Sequence, residues 1–87
     1  MTSAAVEDQG REAITRLLAR RDFTSTIYTS EAARDVAPEV WRGLMPLVRQ
    51  VAVSMARAGD IEITQGGRVL STAKPLRGPI RLRTARR

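Results

Sequence analysis

The arginine and lysine side chains of this sequence could bind an anionic partner, because many of them lie in a segment without any acidic residue. All nine acidic residues precede position 63, so every charged side chain after that position is basic. The formal net charge of +6 comes from this segment. A segment with charge of one sign is typical of a surface that binds a polyanion, most often nucleic acid. Its basic residues are Arg68, Lys74, Arg77, Arg81, Arg83, Arg86 and Arg87.

Two more arginines, Arg42 and Arg49, lie nearly above one another on the predicted third helix. They could contact phosphates or base edges, or they could form a solvated flank that pairs with Glu39 and Asp35. The sequence leaves both interpretations open. Trp41 could stack on a base, but its position on the apolar face of the helix favours packing against the core.

The chain has no cysteine and no histidine, which removes several classes of chemistry. Disulfides, thiol catalysis, zinc sites of the usual kind and histidine general bases are excluded. The carboxylates have structural explanations. Glu31 suits a helix start and Asp60 suits a turn, while Glu62 could pair across strands with Arg81 or Arg83. We therefore expect no enzymatic activity, no metal site and no cofactor.

The length of 87 residues fits one domain, and a composition of 43% hydrophobic and 28% charged residues fits a folded one. We expect the domain to span residues 4–84, followed by a basic tail over residues 85–87. No apolar run approaches the about 20 residues that cross a membrane, and the N-terminal segment lacks the apolar core of a secretory signal. We therefore expect a soluble cytoplasmic protein that does not contact membranes and is a monomer.

The spacing of apolar residues predicts the first elements of the fold. A helix over residues 4–21 carries apolar residues at three- and four-residue steps. The β-branched composition of residues 26–28 predicts a short strand. A second helix is predicted from Thr29, where a hydroxyl could cap it and the Glu31 carboxylate suits the first turn, and it stops at Pro38.

The third helix is predicted over residues 39–58, with Gly59 as its C-terminal glycine. Its apolar face keeps the same phase across Pro46, which predicts one kinked helix or two short helices that share an axis. Glu39 lies at the predicted start of this helix. A carboxylate there suits the helix dipole but would repel a nearby phosphate.

Alternation of apolar and polar residues predicts two more strands, over residues 60–65 and 79–83. Gly66–Gly67 predicts a turn, and residues 68–78 read as an extended loop. The order helix, strand, helix, helix, strand, loop, strand is that of a winged helix-turn-helix domain. The predicted fold class is therefore α+β, with three helices, a small antiparallel sheet of three strands and a long loop as the wing.

Five blocks of sequence carry a resemblance to a known family. They are Ser30-Glu31-Ala32-Ala33-Arg34, Trp41-Arg42-Gly43-Leu44-Met45, Val48-Arg49, the segment from Gly59 to Gly67, and Gly78-Pro79-Ile80-Arg81-Leu82-Arg83. Through these blocks, about residues 10–84 resemble a bacterial family of small domains of unknown function that are predicted to be winged helices. Thr29 departs from the pattern, since such relatives are expected to have proline there. The resemblance implies the winged-helix fold and no known activity.

These observations favour a nucleic-acid-binding module that binds double-stranded DNA with weak sequence preference. Arg68, Lys74 and Arg77 lie on the predicted wing, and we expect them to contribute more to binding than the helix residues Arg42 and Arg49. The alternative is a protein-interaction winged helix without nucleic-acid binding, although docking does not need a block of charge of one sign. RNA or ribosome binding would use the same electrostatics, while the scarcity of aromatic residues disfavours stacking on single strands.

Overall fold

The computed structural model describes residues 3–21 and 25–85, which form three helices and a small four-stranded antiparallel sheet. This is the α+β class that the sequence predicts. None of the helices within the described ranges has the length and apolar character needed to cross a bilayer. The elements in chain order are α1 (Ser3–Ala19), β1 (Ile27–Tyr28), α2 (Thr29–Val36), α3 (Trp41–Arg57), β2 (Ile61–Gln65), β3 (Arg68–Val69) and β4 (Arg81–Thr84).

The strands lie side by side in the order β1-β4-β2-β3, and all neighbours are antiparallel. Leu82, in the interior strand β4, is paired with Ile27 on one side and Ile63 on the other. All three are buried, so this face of the sheet belongs to the core. Because successive strand residues point to opposite faces, Tyr28 and Arg81 lie on the face away from the core.

The sheet has four strands rather than the three predicted, because residues 68–69 are a strand and not part of an extended loop. Gly66 and Gly67 have φ angles of 58° and 81°, which permit a two-residue hairpin turn. Arg68 then lies opposite Gln65, and β3 pairs with β2. We call residues 70–80, which connect β3 to β4, the β3–β4 loop.

Small side chains let the three helices approach one another closely. Ala13 of α1, Ala33 of α2 and Ala52 of α3 are fully buried. Alanine loses no side-chain entropy in a helix, which favours the helices themselves, and its methyl group occupies little space between them. The largest fully buried side chains belong to Ile14, Ile27, Val48, Ile63, Ile80 and Leu82.

The start of α2 corrects one detail of the prediction. The helix begins at Thr29, which is buried, so neither Thr29 nor Ser30 occupies the capping position. Tyr28 precedes the helix, and its backbone N–H donates to Oε2 of Glu31 at 2.7 Å. Glu31 also accepts from Nη2 of Arg21 at 2.9 Å. The predicted carboxylate is present in the first turn, whereas the predicted hydroxyl cap is wrong.

The start of α3 also differs from the prediction. The helix begins at Trp41, so Glu39 lies in the turn between α2 and α3 rather than at a helix start. From Trp41 a single helix continues through Pro46 to Arg57. Proline lacks the N–H that would reach back one turn, and the helix tolerates this loss because Pro46 is on its exposed side.

The end of α3 follows the prediction. Gly59 has a φ of 84°, which other residues rarely adopt. The N–H of Asp60 donates to the carbonyl of Met55 at 3.0 Å, and the N–H of Gly59 donates to the carbonyl of Ala56 at 3.1 Å. This pair of bonds satisfies the last carbonyls of the helix and turns the chain into β2.

Candidate nucleic-acid interface

The β3–β4 loop is held in place by side chains from the elements beside it. Gln65, at the end of β2, donates from Nε2 to the carbonyl of Arg77 at 2.6 Å and to that of Pro79 at 3.0 Å. Between them, Gly78 has a φ of 71°, and a Cβ at this position would lie 3.4 Å from Nε2 of Gln65. The positive φ favours glycine at this bend, because a side chain would be strained there, whereas a contact of 3.4 Å with the amide would be an ordinary one.

Two arginines of α3 attach the same loop to the helix. Arg49 donates from Nη1 to the carbonyl of Gly78 at 3.1 Å, and Arg57 donates from Nη2 to the carbonyl of Thr72 at 3.0 Å. Leu76 of the loop and Val53 of α3 line an open groove of about 540 Å³ between these tethers. The loop is thus fixed along one side of α3, and we call the two elements together the α3–loop surface.

Arg49 is half-buried and uses its guanidinium within the protein. Asp35, one of the two carboxylates considered as partners of the arginines of α3, pairs with Arg16 of α1. Glu39, the other one, forms no ion pair within the described residues. Of the two interpretations that the sequence leaves open, the described residues do not form the flank of paired charges, because Arg16 pairs with Asp35 and the carbonyl of Gly78 accepts from Arg49.

Arg42 is exposed at the start of α3 and lies over an aromatic ring. Its guanidinium carbon is 4.5 Å from the centroid of the Trp41 ring, and that of Arg34 in α2 is 4.4 Å from the same centroid. Trp41 is half-buried and packs against the core, which confirms the interpretation favoured by its place on the apolar face. Cation–π contacts of this kind are worth about 0.5–1 kcal/mol at exposed sites, and they hold Arg42 beside the helix start.

The α3–loop surface has no carboxylate of its own. No acidic residue occurs within α3 or after residue 62. Lys74 and Arg77 are exposed on the loop, beside the two arginine tethers, and Arg68 is exposed on the neighbouring strand β3. Because no opposite charge lies among them, the potentials of these side chains add.

The other flank of α3 has a different character. Glu7 and Arg11 of α1 line a small cavity of about 120 Å³ together with Gln50 and Ser54 of α3. The carboxylate of Glu7 and the guanidinium of Arg11 bring charges of both signs to this flank, whereas the charged side chains of the loop flank are all basic. α3 is therefore electrostatically asymmetric across its exposed side.

Arg81 and Arg83 lie on the sheet face away from the core, so they do not join the α3–loop surface. Arg83 donates from Nε to Oε1 of Glu62 at 2.8 Å, which confirms the predicted cross-strand pair. Arg81 is exposed and donates to the hydroxyl oxygens of Tyr28 and Thr26. The structure thus divides the candidate residues between two surfaces.

Two residues matter in the structure although the sequence does not single them out. Arg57 has a loop carbonyl as its partner, and such a contact leaves no pattern in the sequence. Tyr28 could have been identified as a neighbour of Arg81 by aligning the alternation of polar and apolar residues in β1 with that in β4, because the two residues are paired in the sheet. The predicted contacts Arg86 and Arg87 lie outside the described residues.

Comparison with known proteins comes from one family model, since a search of curated proteins found no match. The model described as "Protein of unknown function (DUF3253)" matches residues 7–85, which is most of the chain. This is consistent with the resemblance to a family of unknown function noted from the sequence blocks. The chain therefore belongs to the DUF3253 family of proteins of unknown function.

Proposed function

We propose that this chain is a winged helix-turn-helix module that binds double-stranded DNA with little sequence preference. The contact surface is the α3–loop surface, with the loop contributing more than the helix. In this proposal α3 takes the place of the recognition helix, and the β2–β3 hairpin with the β3–β4 loop is the wing. The protein acts by binding and not by catalysis.

The order and pairing of the elements support the winged-helix assignment. α2 and α3 follow one another across a short turn, which suits a helix-turn-helix pair. β4 lies between β1 and β2, so the strand before the helix pair and the strands after it share one sheet. The β3–β4 loop is a long connection between strands that follow the helix pair, and the wing of a winged helix occupies this position in the chain.

The observation that carries the proposal is the attachment of the basic β3–β4 loop to α3. Neither element contains a carboxylate side chain. The tethers from α3 reach the loop at Thr72 and Gly78, so Lys74 and Arg77 lie on a segment fixed at both ends. A segment that is already ordered loses less conformational entropy on binding. A fixed surface of positive charge is suited to the phosphate backbone of a duplex.

Weak sequence preference follows from the small number of side chains on α3 that are available to contact base edges. Arg49 and Arg57 already donate to the loop. Arg42 and Gln50 are exposed and carry donors for base edges, but Gln50 shares a cavity with Glu7. Contacts from the loop to phosphates fix the position of a duplex without reading its sequence.

A protein-interaction role is the second candidate, and an exposed apolar patch would favour it. The large exposed apolar residues in the described part of the chain are Tyr28, Val40 and Val69. They belong to β1, the α2–α3 turn and β3, and the two strands are opposite edges of the sheet. Scattered residues of this kind are normal on a monomer and do not mark an interface.

A fluorescence-anisotropy titration of the full chain with labelled duplex DNA and duplex RNA, at two or more salt concentrations, tests the proposal. If about four to six phosphates are neutralised, the slope of log affinity against log salt should be about −4 to −5 for DNA. Absence of binding to any duplex at low salt would remove the proposal and favour the interaction module. Clearly tighter binding to duplex RNA would contradict the assignment of DNA.

A further inference from the structure

A polar cleft of about 470 Å³ lies on the sheet face away from the core. Arg81 of β4 lines it together with Tyr28 and Thr26 on one side and the Gly66–Gly67 turn of the hairpin on the other. We call it the Arg81 cleft. None of the residues that line the α3–loop groove contributes to it, so the cleft is a separate surface.

Arg81 is held in one orientation by neutral partners. It donates from Nη2 to the hydroxyl oxygen of Tyr28, and from Nη1 to Oγ1 of Thr26 at 3.4 Å. Its guanidinium carbon lies 4.6 Å from the centroid of the Tyr28 ring. Because these contacts already restrict the long side chain, a ligand that binds it loses less affinity to side-chain ordering.

Among residues 3–21 and 25–85, no carboxylate forms an ion pair with Arg81. Glu62, the carboxylate of β2 on the same sheet face, accepts from Arg83 at 2.8 Å, and these two charges compensate each other. A guanidinium carries five N–H donors, and Arg81 uses two of them in its hydrogen bonds to described residues. The cleft therefore keeps a positive charge together with N–H groups that can donate to an anion.

We propose that the Arg81 cleft binds a phosphate group. The planar fork of a guanidinium matches two phosphate oxygens at once. Thr64 lies opposite Arg81 in the β2–β4 ladder and lines the cleft, so hydroxyl groups can add to the fork. The cleft is far larger than a phosphate group, and Tyr28 is an exposed aromatic residue at its side, so an esterified sugar or base has both room and an apolar surface. Pro79, at the end of the β3–β4 loop, also lines the cleft. The site does not rest on duplex binding, because Arg81 and Thr64, which would contact the phosphate, lie outside the α3–loop surface.

The test is a ¹H–¹⁵N NMR titration of the full chain with inorganic phosphate, with ionic strength held constant by sodium chloride. We expect saturable shifts of the Arg81 side-chain Nε–H and of the backbone amides of Gly66 and Gly67, with a dissociation constant on the order of 1–10 mM. Arg81→Gln removes the charged fork and should weaken phosphate binding about tenfold. Arg20→Gln removes an equal charge from an exposed position after α1 and should leave phosphate binding unchanged.

The variant Tyr28→Phe tests whether phosphate binding depends on the orientation of the Arg81 guanidinium or only on its positive charge. The variant keeps the ring and the charge but loses the hydroxyl that accepts from Arg81. We expect phosphate binding to weaken severalfold while the thermal unfolding of the chain stays cooperative. Equal phosphate affinity in the wild type, Arg81→Gln and Arg20→Gln would overturn the proposal. Wild-type affinity in Tyr28→Phe would equally contradict an oriented site.

A short duplex DNA, titrated into the same variants, identifies the source of the phosphate. If Arg81→Gln weakens binding of both inorganic phosphate and the duplex, the cleft takes a backbone phosphodiester. If it weakens binding of inorganic phosphate alone, the cleft takes a small phosphate ester. Either result supports the site. Absence of duplex binding with intact phosphate binding removes the proposed function of the α3–loop surface and leaves the cleft standing.

Discussion

Replacing Lys74 and Arg77 together by alanine should weaken duplex binding more, per charge removed, than any change on α3 that leaves the loop in place. Both residues are exposed on the β3–β4 loop. Neither side chain forms a hydrogen bond or ion pair with another described residue, and the loop contact at this point is made by the backbone carbonyl of Arg77. The fold therefore does not depend on these side chains, and their loss acts through the charge alone.

The magnitude follows from the release of counterions. Each neutralised phosphate contributes about −0.9 to the slope of log affinity against log salt, so losing two contacts should make the slope shallower by about 1.8. If each contact contributes about 1 kcal/mol at low salt, the affinity should fall about thirtyfold. Fluorescence anisotropy with one labelled duplex over a series of salt concentrations measures both quantities.

The comparison on the helix is Arg42→Ala, because Arg42 is exposed and bonds to no loop residue. Arg49 and Arg57 are unsuitable for this purpose, since their removal would also release the loop. The matched control is the double change of Arg11 and Arg20 to alanine. Both are exposed on or just after α1, and the pair removes the same charge as the loop variant.

Three results would contradict this prediction. A larger loss per charge for Arg42→Ala than for the loop pair, or a change of preferred sequence on altering Arg42, would show that α3 reads the major groove directly. An equal loss for the loop pair and for the control pair on α1 would show that only the net charge of the chain matters, and that the α3–loop surface is not a defined interface.

Three further changes test the fold and the loop. Gln65→Ala removes two hydrogen bonds to the loop, so trypsin should cleave faster after Arg77 while cooperative thermal unfolding persists; an unchanged cleavage rate would show that this side chain does not hold the loop. Leu82→Ala should lower the free energy of unfolding by about 2–5 kcal/mol in urea denaturation, because its side chain is fully buried in an interior strand, and a loss below about 1 kcal/mol would contradict this packing. Deleting Arg86 and Arg87 should preserve the unfolding transition and reduce the salt slope of duplex binding; loss of cooperative unfolding would show that this end of the chain is structural.

The helices and the central strands could be predicted because apolar residues recur within them at a regular spacing. Ile14 and Leu18 in α1, or Ile61 and Ile63 in β2, recur at the spacing of a helix and of a strand, and all four are buried. β3 could not be predicted in this way, because two residues cannot show alternation. Its existence depends on the tight turn before it, which brings Arg68 into register with Gln65.

The candidate site was harder to predict, because its geometry depends on partners that are distant in sequence. The basic residues were visible from charge alone, but the roles of Arg49 and Arg57 depend on carbonyls of a loop that follows α3 and β2. Asp35 was one of two carboxylates considered as partners of the arginines of α3, and it pairs with Arg16 of α1 instead. Charge patterns show that a chain can attract a polyanion, whereas the fold decides which cations remain available.

The most direct test of the α3–loop surface is a map of backbone amide shifts in the full chain as a short duplex DNA is added at low salt. We expect the largest shifts in residues 72–78 and along α3, with small shifts in α1. The shifts should reverse when salt is raised, because the contacts are made mainly to phosphates. Shifts centred on α1, or no shifts at a duplex concentration that saturates an ordinary DNA-binding domain, would contradict the account.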